Sequence, residues 1–194
     1  MPINKKLQQY IIDLAKKDQE LRKKGCIAKT KREYQKAGKE IWKWDGKTLK
    51  EIKKIINQHG WPGFDLIGKR ASHYFWLLVQ HADRDTKFQK KCLKLMRKSV
   101  KANLAHPKDY AYLIDRVLCA ENKKQKFGTQ FIYNLEQDKL IPKPVADYKN
   151  VNRRRFKYKL KTIKQAEEKM NKSTVLLRKN LKEFMLRQKE KKLL

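Results

Sequence analysis

Ala71-Ser72-His73-Tyr74-Phe75-Trp76-Leu77-Leu78-Val79-Gln80-His81-Ala82 is a strongly apolar run near the middle of a 194-residue chain. It holds neither glycine nor proline, and at 3.6 residues per turn its apolar side chains cover much of a helical circumference. A helix apolar nearly all round has to be buried, so the run predicts a helix over about 69–82 at the centre of the core. Immediately upstream, His59-Gly60-Trp61-Pro62-Gly63 combines residues that cannot continue a helix. Before that break, Leu49, Ile52, Ile55 and Ile56 share one face, and Thr48 with Glu51 has the spacing of a capping box. A helix over 48–58 follows. Residues 25–47, with Gly38, Gly46 and the pair Trp42 and Trp44, read as a polar connection.

The outer segments continue this helical reading. Leu7, Tyr10, Ile11, Leu14 and Leu21 recur at three- and four-residue steps and predict a helix over 4–24, stopped at Gly25. Downstream, Phe88, Cys92, Leu95, Met96 and Val100 mark a helix over 86–102. Pro107 suits the first turn of another over 108–121, carrying Tyr112, Leu113, Val117 and Leu118. The segments 127–133 and 140–145 flank the polar turn Glu136-Gln137-Asp138 and suggest a short β-hairpin. From about 151 to the end, Phe156, Leu160, Ile163, Leu177, Leu181, Phe184 and Met185 predict a long basic amphipathic helix, broken near Asn171-Lys172-Ser173. The expected fold is mainly α, a compact helical domain over 1–155 with a short β-hairpin. A basic helical extension follows over 156–194.

Charge narrows the partners. The chain carries 51 Lys and Arg against 20 Asp and Glu, a formal net charge of +31. Forty of the basic residues are Lys and eleven are Arg. Residues 151–194 hold 16 basic and 4 acidic side chains, the densest excess in the chain. Such a field attracts polyanions, so nucleic acid is an expected partner, reached through the basic surface and the C-terminal helix. Lys is a flexible point charge rather than a planar fork, so a diffuse, compositional origin stays open beside it. No apolar run is long enough for a transmembrane helix. An amphipathic start and three scattered cysteines (Cys26, Cys92, Cys119) predict a cytoplasmic setting in which thiols stay reduced.

Few motifs carry chemistry. Gly63-Phe64-Asp65-Leu66-Ile67-Gly68-Lys69 fits seven positions of a phosphate-binding loop, but Arg70 stands where Ser or Thr should hold magnesium and no buried strand precedes it. It reads better as a turn into a helix. His73 and His81 lie about 12 Å apart along a helix and cannot share an ion, so neither metal nor cofactor is expected. His81, at the edge of the apolar helix, suits a general acid or base. Arg116 suits a bidentate clamp on an anion, or a tie to Asp18 or another carboxylate. Gln80, Asp115, Gln125, Thr129 and Gln130 supply orienting groups, and His59 a second proton-transfer group.

Several of these segments together resemble a mostly bacterial family, the domain-of-unknown-function 6624 family. The matching residues are Asp18-Gln19 with Arg22, His59-Gly60-Trp61-Pro62, Leu66-Ile67-Gly68 and the run Trp76 to Asp83 with Phe88-Gln89. Asp115-Arg116, Gln125, Phe127-Gly128-Thr129-Gln130, Asn150-Val151 and Arg153-Arg154 follow in order, with Phe127 where the family usually has Tyr. The resemblance spans about 4–155, and the extension beyond passes the family's usual ending. It implies that Gln80, His81, Asp115, Arg116, Gln125 and Gln130 form one polar constellation, and it brings no activity, cofactor or partner. Two functions stay open. One is His-assisted hydrolysis or transfer on a phosphate-containing ligand, a nucleotide or RNA. The other is non-catalytic binding of nucleic acid or an acidic partner.

Overall fold

A computed structural model describes residues 2–28, 30–175, 179–180, 182–183 and 185–186. Among them the chain forms seven α-helices, one 3-10 turn and a two-stranded antiparallel sheet. Mainly α with a small hairpin is therefore the fold. Helix α1 (Lys5–Cys26) starts on Asn4, whose side-chain oxygen accepts from the Leu7 amide at 3.0 Å. It buries Ile11, Leu14, Ala15 and Leu21. Tyr10 leaves the expected apolar face: it is exposed and donates its hydroxyl to Glu51.

Helix α2 (Lys31–His59) corrects the reading of 25–47 as a connection. Its capping box is Thr30 with Glu33, and Thr48 lies buried in mid-helix. Gly38 and Gly46 each cost a helix interior only about 1 kcal/mol. The apolar face that starts at Ala37 and continues through Ile52, Ile55 and Ile56 outweighs them.

Helix α3 (Phe64–Gln80) contains one non-helical residue, Gly68 (φ +75°, ψ +164°), so its continuous part begins where the sequence placed it. That left-handed glycine lies against α1: a Cβ there would sit 3.0 Å from Gln8 Nε2. The Asn4 amide donates to Leu66 O and Gln8 Nε2 to Ile67 O, so the 63–69 turn packs against the start of α1. Contacts from Asn4 to Leu66 and from Asp18 to His81 run α1 parallel to α3. Contacts from Tyr10 to Glu51 and from Arg22 to Asp45 run it antiparallel to α2.

The core lies between α1, α2, α3, α4 (Thr86–Lys101) and α5 (Pro107–Ala120), around Phe75, Leu78, Ile52, Ile11, Met96 and Leu113. Helix α5 has two working faces. Leu113 and Val117 are buried, and Leu113 belongs to this core. Ala111 belongs to a smaller cluster with Phe127 and Leu160, beside Tyr158. That cluster ties α5 to the segments on either side of the strands β1 (Phe131–Asn134) and β2 (Lys139–Pro142).

The expected single helix from 151 is two. Helix α6 (Val151–Lys157) and α7 (Ile163–Ser173) are separated by a turn in which Lys159 has φ +56°. The turn lets Leu160 and Ile163 reach the core while Phe156, expected inward, is exposed. Helix α7 ends at Ser173, where the break was expected. Leu177, Leu181 and Phe184 fall outside the described residues, and Met185 is exposed. No helix among the described residues is long and apolar enough to cross a membrane.

Candidate functional site

The end of α3 is where the polar residues collect. His81 is the C-cap of the helix, its amide donating to Leu77 O. Its Nδ1 lies 2.9 Å from Asp18 Oδ2 on α1, and the imidazole is 13% exposed. Asp18 is itself 1% exposed and accepts from Gln19 Nε2 at 2.8 Å and from the Arg22 guanidinium at 3.0–3.2 Å. Arg22 also reaches Asp45 on α2. Burial pushes the Asp18 carboxyl up, but its bonds to His81 and Arg22 outweigh that and hold it below the ordinary carboxylate value. Burial also raises the Asp45 carboxyl, against the pull of Arg22.

The ionised Asp18 fixes the tautomer of His81. A carboxylate only accepts, so Nδ1 carries the hydrogen, and whenever the ring holds a single proton Nε2 keeps its lone pair. Nε2 has no hydrogen bond among the described residues, nor is it one of the buried unpartnered atoms. The adjacent Gln80 Oε1 and the nearby Gln89 Oε1 are buried and unpartnered. Gln89 Nε2 is committed, donating to Val79 O and Gln80 O.

Beyond His81, three residues of the short loop are each tied to a different neighbour. Asp83 receives Arg116 Nε at 2.8 Å and Nη2, a two-point fork from α5. Arg84 donates to Trp42 O on α2. Asp85 pairs with Lys53 at 2.6 Å and caps α4 through the Phe88 amide. Four helices thus meet in one knot, the loop of residues 81–85.

The second half of the expected constellation shapes a loop. Asp115, with no exposure, accepts from the Lys126, Phe127 and Thr129 amides at 2.7–3.2 Å and from the Thr129 hydroxyl at 2.9 Å. Burial raises its carboxyl against the pull of these donors. Gln125 is saturated: Nε2 donates to Gln130 O and Lys143 O, and Oε1 accepts from the Gln130 amide. From the other side Arg155, 1% exposed, donates to Lys161 O, Phe127 O and Gly128 O.

The sequence-predicted residues therefore separate. His81, Gln80 and Arg116 meet around the 80–85 loop, and Gln130 joins them through Arg116 Nη1 at 3.4 Å. Asp115, Gln125 and Thr129 are spent on the 125–130 turn. Arg116 forks onto Asp83, the carboxylate alternative of the sequence reading. His59 is exposed at the far end of α2, fourteen residues from Asp45 or about 21 Å along the helix. Sequence reasoning missed Asp45, which sat in the stretch read as a connection, and the buried role of Arg155. Asp18 had a visible signal, a carboxylate on the same face as Leu14 and Leu21.

A second histidine pair lies further up α3. His73 Nδ1 is 2.7 Å from Asp109 Oδ2, and its ring stacks on Trp76 with centroids 5.1 Å apart. The Asp109 bond raises the His73 pKa, with burial opposing it. A raised histidine stabilises the fold fully below the unfolded value of about 6.5 and loses that contribution as pH climbs through the folded value. Urea midpoints from about pH 5.5 to about pH 8.5 should therefore fall for the wild type more steeply than for His73→Gln. Equal slopes would show that the pair contributes nothing.

Neither Cys92 nor Cys119 offers an activated nucleophile: burial pushes the Cys92 thiol up to about 12 and raises that of Cys119. Among the described residues no three His, Cys, Asp or Glu side chains gather as a metal set. A family model described as a family of unknown function (DUF6624) matches residues 5–174, running past residue 155 to the end of α7. No curated protein and no solved structure matches the chain.

Proposed function

The chain belongs to the DUF6624 family, and from its own geometry we propose that it performs acid–base chemistry at His81 on a phosphate-containing ligand, a nucleotide or RNA. One observation carries this reading. His81 is held by the ionised, buried Asp18 at Nδ1 while Nε2 has no partner among the described residues. In hydrolysis or transfer, Nε2 would take the proton of an attacking water or hydroxyl as that oxygen bonds to phosphorus and the phosphorus–oxygen bond to the leaving group breaks. The charged ring would lean on Asp18 and then return the proton to the departing oxygen. The net charge of +31 favours an anionic ligand. Three free cysteines fit a cytoplasmic, thiol-reducing setting.

The test is conversion of single-stranded RNA and of a panel of 5′-nucleotides by the purified protein, with His81→Ala and Asp18→Asn beside it. His81→Ala should lose at least about 100-fold in rate, as expected when a general base is removed. Asp18→Asn should lose less, by releasing the ring's orientation. A wild-type rate in a folded His81→Ala protein would sink the reading. So would an inert wild type.

The non-catalytic reading is favoured by the knot itself, since the loop of residues 81–85 links helices whatever its chemistry. The two arginines just before the C-terminal basic extension are spent within the fold. Arg154 and Arg155 turn inward: Arg154 donates to Lys126 O, Ala146 O and Asp147, and Arg155 is buried.

A further inference from the structure

The solvent face of α2 is built as a single positive stripe. Arg32, Lys36, Lys39, Lys43, Lys47 and Lys50 follow at steps of four, three, four, four and three residues. At 100° per residue all six fall within about 80° of arc, along about 27 Å of helix. Each is exposed, and none is held in an ion pair among the described residues. The helix's acidic residues stand elsewhere: Glu33, Glu40 and Glu51 lie along one flank, and Asp45 is turned to Arg22. The stripe faces away from Ile52 and Ile55, which pack into the core.

The opposite flank carries a flat aromatic feature. Trp42 is 64% exposed, and the Arg84 guanidinium lies over its ring with Cζ 3.2 Å from the centroid. Gly46, one turn on, makes room for this: a Cβ there would come 2.7 Å from Arg84 Nη1. A guanidinium lying over an exposed Trp ring makes an aromatic and cationic platform of the kind on which nucleobases stack.

We propose that α2 is a docking surface for a single-stranded nucleic acid, its phosphates along the Arg32–Lys50 stripe and a base against the Trp42–Arg84 pair. Charge complementarity argues for a polyanion, and the exposed stack argues for one with unpaired bases. A duplex hides its base faces and would leave Trp42 unused. The proposal is independent of the acid–base reading, because none of these side chains belongs to the Asp18–His81 pair.

The experiment is fluorescence anisotropy with a labelled mixed-sequence RNA of about 20 nucleotides, between about 50 and about 200 mM salt. Six neutralised phosphates predict a slope of log affinity on log salt of about −4 for a single strand. The triple reversal Lys39→Glu, Lys43→Glu and Lys47→Glu should weaken binding at least about 30-fold and cut the slope by about 2. Trp42→Ala should weaken it about 5- to 150-fold, the range for losing one stacked base. The control is a triple reversal on α7, Lys164→Glu, Lys169→Glu and Lys172→Glu, which are also exposed; it should cost only a fewfold. Equal losses from the two reversals would overturn the proposal by making the charge diffuse. Tighter binding of the matching duplex, or no effect of Trp42→Ala, would overturn it as well.

Discussion

Asp115→Ala is expected to lower the unfolding free energy by about 4 kcal/mol, enough to leave a domain of ordinary stability barely folded. The substitution removes one acceptor group and strands four donors at once: three backbone amides and the Thr129 hydroxyl. Each buried donor left unsatisfied costs about 1–3 kcal/mol, and the hydroxyl can swing to a new partner, so the amides dominate. Backbone amides cannot swing. The loop must either keep its shape with empty donors or open and lose the Phe127 contact with Leu160. Guanidinium unfolding followed by circular dichroism measures the effect, and a loss under about 1 kcal/mol would mean that the turn is shaped by something else.

Arg155→Leu is expected to cost about 3 kcal/mol, because a buried charged donor to carbonyls is stronger than a neutral one. Its guanidinium reaches Lys161 O, Phe127 O and Gly128 O, joining the turn to the segment between α6 and α7. Burial lowers its pKa while the neighbouring Tyr112 and Asp115 pull the other way. The loss should be smaller than for Asp115, since a carbonyl deprived of its donor bears under-satisfaction better than an amide. The two residues grip opposite edges of one short loop, amides from α5 and carbonyls from α6. Once either grip is gone the other has less to hold. The double variant should therefore cost less than the two single costs added, by about 1 kcal/mol or more, in the same unfolding assay. Strict additivity would show the grips to be separate.

The periodicity of Phe75, Leu78 and Val79, of Leu14 and Leu21, of Cys92 and Met96, and of Leu113 and Val117 is sufficient for four of the five core helices. Burial at three- and four-residue spacing is a local signal. The start of α2 was illegible for a local reason too. Two Thr-x-x-Glu patterns occur, at Thr30 and Thr48, and the glycines between them favour the wrong one. What settles the choice is the face that Ala37, Ile52 and Ile55 present to the core, a tertiary fact. In the site, His81 and Arg116 could be picked out by type and position, but their partners lie 63 and 33 residues away. Nothing in spacing could show that Arg116 is already forked onto Asp83. The same holds for Asp115, whose donors are backbone amides and leave no side-chain signature.

The knot at residues 81–85 has a kinetic meaning. Its ties close loops of 63, 42 and 33 residues, to Asp18, Trp42 and Arg116. Closure of long loops costs entropy before any contact repays it, whereas the turns of α2 and α3 form from neighbours along the chain. The knot is therefore expected to form after the local turns of the helices that it fastens. Changes made there should leave the folding rate nearly untouched and appear as faster unfolding, so residues 81–85 act as the latch on the native state's lifetime.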